Sequence, residues 1–326
     1  MKHKHSLVLG KFLDFHVGHE MLIRHAISLA DQTTVLLCIA EGDRVPFTDR
    51  HQWITNTFGK SIELILVDQA REGLEAKEES DRDVSASWAT WVLSKLPSVD
   101  LLVGSEDYVQ FMGEAGNLYY AIYDKERTIT PCSSTSVNSG DYKYRAHTAK
   151  STLATKVYFV GPESTGKSIA TKMLSGRLGC EYVSESARDF LSDDGTFSLD
   201  DLPIFALAHE LAVRVAVRDA TSTIFLVDSS VVTTIAYSEE QFGLRDSILQ
   251  DLLNDENGLY LVFTPEVPWI NDGTRLMESI KDREDFFDHT IELLEDYGKR
   301  FTIINGDNYF ERLDKASEGI KGITNV

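Results

Sequence analysis

Gly161-Pro162-Glu163-Ser164-Thr165-Gly166-Lys167-Ser168 matches the phosphate-binding pattern G-x-x-x-x-G-K-[ST] at every fixed position. The apolar run Val157-Tyr158-Phe159-Val160 before it reads as a strand, and Ile169, Met173, Leu174 and Leu178 follow at helical spacing. The motif needs this strand–loop–helix context, because a glycine-rich backbone must wrap a phosphate against a helix N-terminus. An ordinary glycine turn before a helix is the plain alternative, and the full match in the right context favours a nucleoside triphosphate site. There, Gly161 opens the loop and the amides around Ser164, Thr165 and Gly166 cradle phosphates. Lys167 reaches the β/γ oxygens and the Ser168 hydroxyl ligates Mg²⁺. A nucleoside triphosphate is the expected ligand and Mg²⁺ the expected cofactor.

Outward from this loop the chain alternates strands and helices in both directions. After it come helices at about 167–178 and 201–220, the strand Thr223–Val227 and a helix at about 246–253. The strand Leu259–Phe263, a helix at about 284–297 and the strand Phe301–Ile304 complete this half. Before the loop, Leu7-Val8-Leu9 reads as a strand and Leu22, Ile23, Ala26 and Leu29 as an amphipathic helix. The strand Thr33–Ala40, a helix over Thr48–Phe58, the strand Ile62–Val67, a helix over Ser85–Leu96 and the strand Val99–Val103 follow. The acidic run Glu72–Asp83 reads as a solvated loop, and the polar stretch 139–155 as the domain boundary. The expected fold class is α/β with two domains, 1–145 and 155–326, each a parallel sheet flanked by helices.

A length of 326 residues suits two domains with separate cores. No apolar run approaches the roughly 20 residues that span a bilayer, and the short apolar patch after Met1–His5 is no signal peptide. A cytoplasmic location without membrane partners is expected. Three scattered cysteines, Cys38, Cys132 and Cys180, read as buried thiols of a reducing compartment. A formal net charge of −20 argues against nucleic acid as a partner. It also requires anionic substrates to be met by local basic groups and Mg²⁺.

A second constellation lies in the first half: Gly10-x-Phe12-x-x-x-His16-x-Gly18-His19, at the mouth of a helix after a strand. Two histidines bracketing a glycine can aim both imidazoles at one phosphate, the glycine admitting it close to the backbone and the helix N-terminus favouring its charge. A metal pair or two surface histidines are the other readings of such a spacing.

This pattern resembles the nucleotidyltransferase signature of the nicotinamide mononucleotide adenylyltransferases. Arg50-His51-Gln52-Trp53-Ile54 is similar to the family's R-x-x-W-[LI] helix, Ser105-Glu106 to its serine–glutamate turn, Asp124-Lys125-Glu126-Arg127 to its D-P-E-R, and Ser133-Ser134-Thr135 to part of its S-[GS]-T-x-I-R motif. With the phosphate loop following, the chain resembles the NadR-type bifunctional family, in which a Rossmann-like adenylyltransferase precedes a P-loop ribosylnicotinamide kinase. The resemblance implies that His16 and His19 donate to reacting phosphates, with Gly10, Lys11, Phe12, Gly18, Ser133, Ser134 and Thr135 holding the triphosphate. Trp88 or Trp91 either stacks on the nicotinamide ring or packs in the core. Two positions depart from the family: Asp14 replaces a proline, and Asn138 stands where the motif has a triphosphate-binding arginine. Asparagine carries no charge and no guanidinium fork; Lys143 and Arg145 are the basic residues that could compensate.

In the second half, Asp228 closes an apolar strand, where a P-loop protein places its Mg²⁺-side acid. The family often has D-T-D there; this chain has Asp228-Ser229-Ser230. Glu185 and Arg188 resemble the family's E-Y-A-R. They imply a carboxylate at the riboside 5′-hydroxyl and a cation at the transferring phosphate, a surface ion pair being the alternative. Pro268-Trp269-x-x-Asp272-Gly273-x-Arg275, with Arg283 beyond, matches a P-W-x-x-D-G-x-R stretch. It implies an arginine over the γ-phosphate and Trp269 at the substrate. Gly306-Asp307-x-Tyr309-x-Glu311-Arg312 is a shorter likeness, open to reading as a helix-capping turn.

The expected activity is NAD salvage, with nicotinamide riboside, nicotinamide mononucleotide, ATP and NAD as small-molecule partners. Alternatives are a working kinase beside a degenerate adenylyltransferase, and a nucleotide sensor that does not bind DNA. The family's repressors carry a helix-turn-helix ahead of the first strand, and none is expected here. The sequence leaves the oligomeric state open, a homo-oligomer included.

Overall fold

The structure is a computed structural model that describes residues 2–75, 80–138, 141–186, 190, 196–270, 275 and 277–324. It divides into two compact units, Met1–Thr152 and Leu153–Val326.

The first unit runs β1 (His3–Gly10), α1 (Val17–Leu29), β2 (Ala30–Ile39), α2 (Phe47–Phe58), β3 (Glu63–Asp68), α3 (Gln69–Glu72), α4 (Arg82–Lys95), β4 (Leu101–Gly104), α5 (Tyr108–Gly116), β5 (Tyr119–Ile122), α6 (Ser134–Asn138) and α7 (His147–Leu153). Its strands pair in parallel in the order β3-β2-β1-β4-β5. Both faces are covered, so the strands read as continuous apolar runs rather than alternating ones. One core, with Val8, Phe15, Ile23, Trp53 and Val103, fills one face, and a second, with Leu7, Leu36, Trp88, Val92 and Leu102, fills the other. Strand order reverses between β1 and β4, which opens a crevice beyond their carboxyl ends.

The expected boundary stretch folds largely with this unit. Tyr142 and Ala146 are buried, and Ala149 of α7 joins the core. The indole of Trp53 donates to Thr152 Oγ1 at 2.7 Å. The polar composition of 139–155 hid this because small residues, Ala146 and Ala149, make the contact. Part of the expected acidic loop is ordered too: Asp68 caps α3, and Asp81 Oδ1 accepts from the amides of Asp83 and Val84 to start α4.

The second unit runs β6 (Thr155–Val160), α8 (Lys167–Leu178), β7 (Glu181–Val183), α9 (Asp201–Asp219), β8 (Ile224–Asp228), α10 (Val231–Phe242), α11 (Ser247–Asp255), β9 (Leu259–Phe263), α12 (Ile280–Asp296), β10 (Arg300–Ile304) and α13 (Tyr309–Thr324). All pairings are parallel, in the order β10-β9-β6-β8-β7. Central β6 is flanked by β8 and β9, both buried along their whole length. The phosphate-loop motif therefore leaves the sheet at its reversal of strand order. No helix among the described residues is long and apolar enough to cross a membrane.

Candidate functional sites

In the second unit the loop after β6 lines a cavity of about 270 Å³. Gly166 has φ +91°, and a Cβ there would lie 2.7 Å from the ring of Tyr309 at the start of α13, so only glycine fits. Lys167 opens α8, and its Nζ donates to the carbonyls of Gly161 (2.7 Å) and Pro162 (2.6 Å). Burial lowers the lysine pKa, opposed by the charges of Asp228, Glu185 and Glu163 and reinforced by Arg275. Ser164 Oγ accepts from Arg275 Nη1 at 2.6 Å and from the Ile270 amide at 3.0 Å, which ties the Pro-Trp segment to the loop.

The cavity gathers Gly161, Ser164, Thr165, Gly166, Lys167, Ser168, Glu185 and Arg275 from the expected set. Asp228 is buried at the end of β8 and acts on Lys167 electrostatically. Arg188, Asp272 and Gly273 lie outside the described residues. Two expectations are corrected. Arg283 Nη1 donates to the carbonyls of Pro265 (3.1 Å) and Val267 (3.0 Å), so this buried guanidinium organises a loop rather than the cavity. Trp269 does not line the cavity either.

Four further contributors escaped the sequence reading. Phe197, Phe205 and Tyr237 give the cavity an aromatic wall, and Glu163 Oε1 accepts from the Tyr237 hydroxyl at 3.0 Å. Helical spacing marks Phe205 and Tyr237 as apolar-face residues, and only the fold shows that this face meets the loop. Ser230, where the family has an acid, caps α10 and donates to buried Glu256 at 2.5 Å. Glu256 also accepts from the Val231 amide and from Tyr260. A carboxylate from elsewhere in the chain thus braces the turn that carries Asp228.

Arg312, 1% exposed, proves structural. It donates to the carbonyls of Gly306 (2.8 Å), Thr165 (3.2 Å) and Thr264 (2.7 Å) and pairs with Glu266 at 2.9 Å, joining the phosphate loop to the ends of β9 and β10. Arg312→Met would leave the buried carbonyls of Thr165 and Thr264 without this donor, and should cost about 2–4 kcal/mol in a urea-unfolding measurement. A loss under about 1 kcal/mol would refute this bracing role.

In the first unit a cavity of about 250 Å³ opens at the crevice beyond β1 and β4. His16, Gly18, His19, Ser133, Ser134 and Thr135 of the expected set line it, with Ser105, Glu106, Asp124 and Arg127. His16 caps α1, its Nδ1 accepting from the His19 amide at 3.3 Å. The two imidazoles stack at 3.7 Å between centroids. A Cβ on Gly18 would sit 2.9 Å from the His16 ring, so this stack requires the glycine. Burial, aided by Arg127 and Arg145, lowers the His16 pKa to about 4. Burial, aided by His16, puts His19 well below its ordinary value. Both rings are therefore neutral near pH 7. Asp124 accepts from the amides of Thr128, Ile129 and Thr130 and so shapes the Arg127 loop.

Other expected residues sit behind this cavity. Gly10 ends β1. Phe12 is buried with φ +52°, its ring edge against His19. Lys11 is corrected: its Nζ is held by Asp43 at 3.0 Å and does not line the cavity. Trp88 is corrected as well. It is a core residue, its indole donating to the Glu75 carbonyl, while Trp91 donates to Glu72. Neither lines the cavity.

The two departures from the family pattern turn out to be joined. Buried Asp14 pairs with both Arg44 and Arg145, and Asn138 Oδ1 accepts from Arg44 Nη1 at 2.9 Å. Arg145 bridges by backbone to His16. Lys143 lies over the Tyr144 ring instead. The three cysteines are free and buried, Cys132 Sγ lying 3.4 Å from His16 Nδ1.

Residues 156–312 match the AAA domain family. Over 97% of its length the chain is 25% identical to the trifunctional NAD biosynthesis/regulator protein NadR of Escherichia coli (strain K12), covering 82% of that protein. It is 24% identical to the Salmonella typhimurium protein of that name, with the same coverage. Among solved structures, a NadR protein in complex with NR aligns with a TM-score of 0.65 at 18% identity, covering all of this chain and 98% of that one. A NadR protein in complex with NAD and AMP-PNP aligns at 0.63 and 19%, covering 99% and 97%. In sequence the chain is thus similar to NadR over nearly its whole length, at 25% identity, and its two parallel-sheet units have a NadR-like fold.

Proposed function

We propose that the chain is a bifunctional enzyme that phosphorylates nicotinamide riboside with ATP and then adenylylates the mononucleotide to NAD. The observation that carries this reading is the pair of separate cavities, each at a strand-order reversal and each built on a different phosphate-handling motif.

In the second unit, Lys167 and the loop amides hold the β/γ phosphates, and Arg275 neutralises the transferring group. Glu185 orients the 5′-hydroxyl of the riboside. Ser168 and Asp228 are the oxygen donors that would hold Mg²⁺, which would supply positive charge to neutralise the phosphates. The aromatic wall of Phe197, Phe205 and Tyr237, with Glu163 and Glu185 nearby, suits a cationic pyridinium ring.

In the first unit the mononucleotide's phosphate attacks the α-phosphorus of ATP and pyrophosphate leaves. No covalent intermediate with the protein is needed. His16 and His19, neutral and positioned, donate to the phosphates, and the Ser133–Thr135 turn holds the remaining oxygens. Arg127 and Arg145 supply positive charge beside His16, which favours a working site over a degenerate one.

Incubation with Mg²⁺-ATP and either the riboside or the mononucleotide, with products separated by chromatography, tests both halves. Absence of NAD from the mononucleotide would remove the adenylyltransferase; absence of riboside phosphorylation would remove the kinase. Because Arg145 is one of the two cations acting on His16, Arg145→Met should lower adenylyl transfer about 10- to 100-fold, the worth of a charge-assisted contact. Asn138→Arg should leave it within about threefold, since the new cation would sit beside Arg44. A large gain from Asn138→Arg would show that the missing arginine limits this site.

A further inference from the structure

The cavity of the second unit is walled by two residues whose buried polar atoms the phosphate-transfer residues leave unused: Nε2 of His209 and Oγ1 of Thr233. His209 is 7% exposed and Thr233 6%, and neither atom has a hydrogen-bond partner among the described residues. A buried polar atom left unpaired costs about 1–3 kcal/mol. Two in one cavity, from two different helices, mark a place where a ligand supplies the partners.

His209 shares a face of α9 with Leu202, Phe205 and Ala206, all of which line the cavity. Its other ring nitrogen, Nδ1, lies 3.3 Å from Ser186 Oγ, and the Ser229 backbone also acts on the ring. That anchoring orients the imidazole and leaves Nε2 as the adaptable atom. Burial lowers the His209 pKa, so the ring is neutral near pH 7 and both donates and accepts. Glu185 is near enough to act on it electrostatically.

We propose that His209 Nε2 and Thr233 Oγ1 form a two-point contact for a neutral group on the acceptor nucleoside that both donates and accepts hydrogen bonds, its carboxamide or a ribose hydroxyl. The proposal rests on the reading of this cavity as the riboside site and deepens it into a specificity device. A carboxylate in place of the carboxamide only accepts, and it brings negative charge toward Glu163 and Glu185. Sites that hydrogen-bond a substrate group discriminate strongly against analogues lacking it, because their own polar atoms are then left unpaired.

The test is steady-state kinetics of the full chain with nicotinamide riboside, nicotinic acid riboside and the 2′- and 3′-deoxy nicotinamide ribosides. His209→Asn keeps a group at the Nδ1 position, facing Ser186, but none at Nε2; His209→Gln places an amide near Nε2; Thr233→Val removes the hydroxyl at nearly constant shape. His209→Asn and Thr233→Val should raise KM for nicotinamide riboside about 10- to 100-fold, with kcat and KM for ATP within about twofold. His209→Gln should recover most of the loss, which a merely structural histidine would not allow. Loss of the preference for amide over acid in His209→Asn assigns the carboxamide. A KM equal to that of the wild type toward a deoxy analogue assigns that hydroxyl. An unchanged riboside KM in both His209→Asn and Thr233→Val overturns the proposal. A wild-type protein that phosphorylates no nicotinamide riboside sinks the kinase reading itself, and this contact with it, before any variant is made.

Discussion

Lys167→Ala is expected to abolish phosphorylation of nicotinamide riboside, by about 10³-fold or more in kcat, while NAD formation from the mononucleotide continues unchanged. Phosphoryl transfer offers the protein little covalent chemistry, so the rate depends on positioned charge around the γ-phosphate. Lys167 is the cation that opens α8 within the phosphate loop. Its pKa is lowered chiefly by burial, with the charges of Asp228, Glu185 and Glu163 pulling the other way. Removing it leaves Asp228 and Glu185 repelling the incoming nucleotide. Lys167→Arg should not rescue, because the ammonium fits between the carbonyls of Gly161 and Pro162 and a planar guanidinium is larger. Measuring each half-reaction with its own substrate separates the effects, since His16 and His19 belong to the other compact unit. Equal losses in both would overturn the assignment of one chemistry to each unit.

The architecture was largely legible because parallel strands covered on both faces write themselves as unbroken apolar runs. Ile224–Val227 and Leu259–Phe263 could be read at sight, and the phosphate loop sat where the strand order reverses. The residues of the phosphate-loop motif were legible for a related reason: glycines and a lysine at fixed spacing have few other uses. What failed was the fate of long polar side chains. Lys11 and Arg283 stand in motif-like positions, yet a nearby carboxylate holds one and two carbonyls hold the other. Such competition depends on partners distant in sequence. Trp88 and Trp91 stayed open between ligand and core for a similar reason, since a tryptophan on an amphipathic helix looks the same whichever it faces. Asp14 and Asn138 read as two separate defects, and three-dimensional pairing through Arg44 makes them one substituted network.

His19→Ala carries the second large effect: NAD formation from the mononucleotide should fall about 10²- to 10³-fold in kcat, the usual loss for a positioned donor to developing oxyanion charge, with riboside phosphorylation unaffected. His19 is held by its stack with His16 and by the ring edge of Phe12, so the substitution removes the donor and loosens its neighbour together. The same burial makes a prediction independent of turnover. His16 is lowered to about 4 and His19 well below its ordinary value, so each binds its proton less readily folded than unfolded. Above the unfolded pKa near 6.5 both states are neutral and the pair costs nothing in proton linkage. As pH falls through 6.5 toward 4 the unfolded chain takes up protons that the folded chain refuses, and stability drops across that window. Urea unfolding of the wild type and of the His16→Asn/His19→Asn double variant at several pH values would show this as a difference confined to that interval. Ring-proton resonances of the free protein should likewise give His16 a midpoint near 4 and His19 one well below 6.5. Midpoints near 6.5 would mean that the rings are solvated and cannot serve as the neutral, preorganised donors that direct displacement at the α-phosphorus requires.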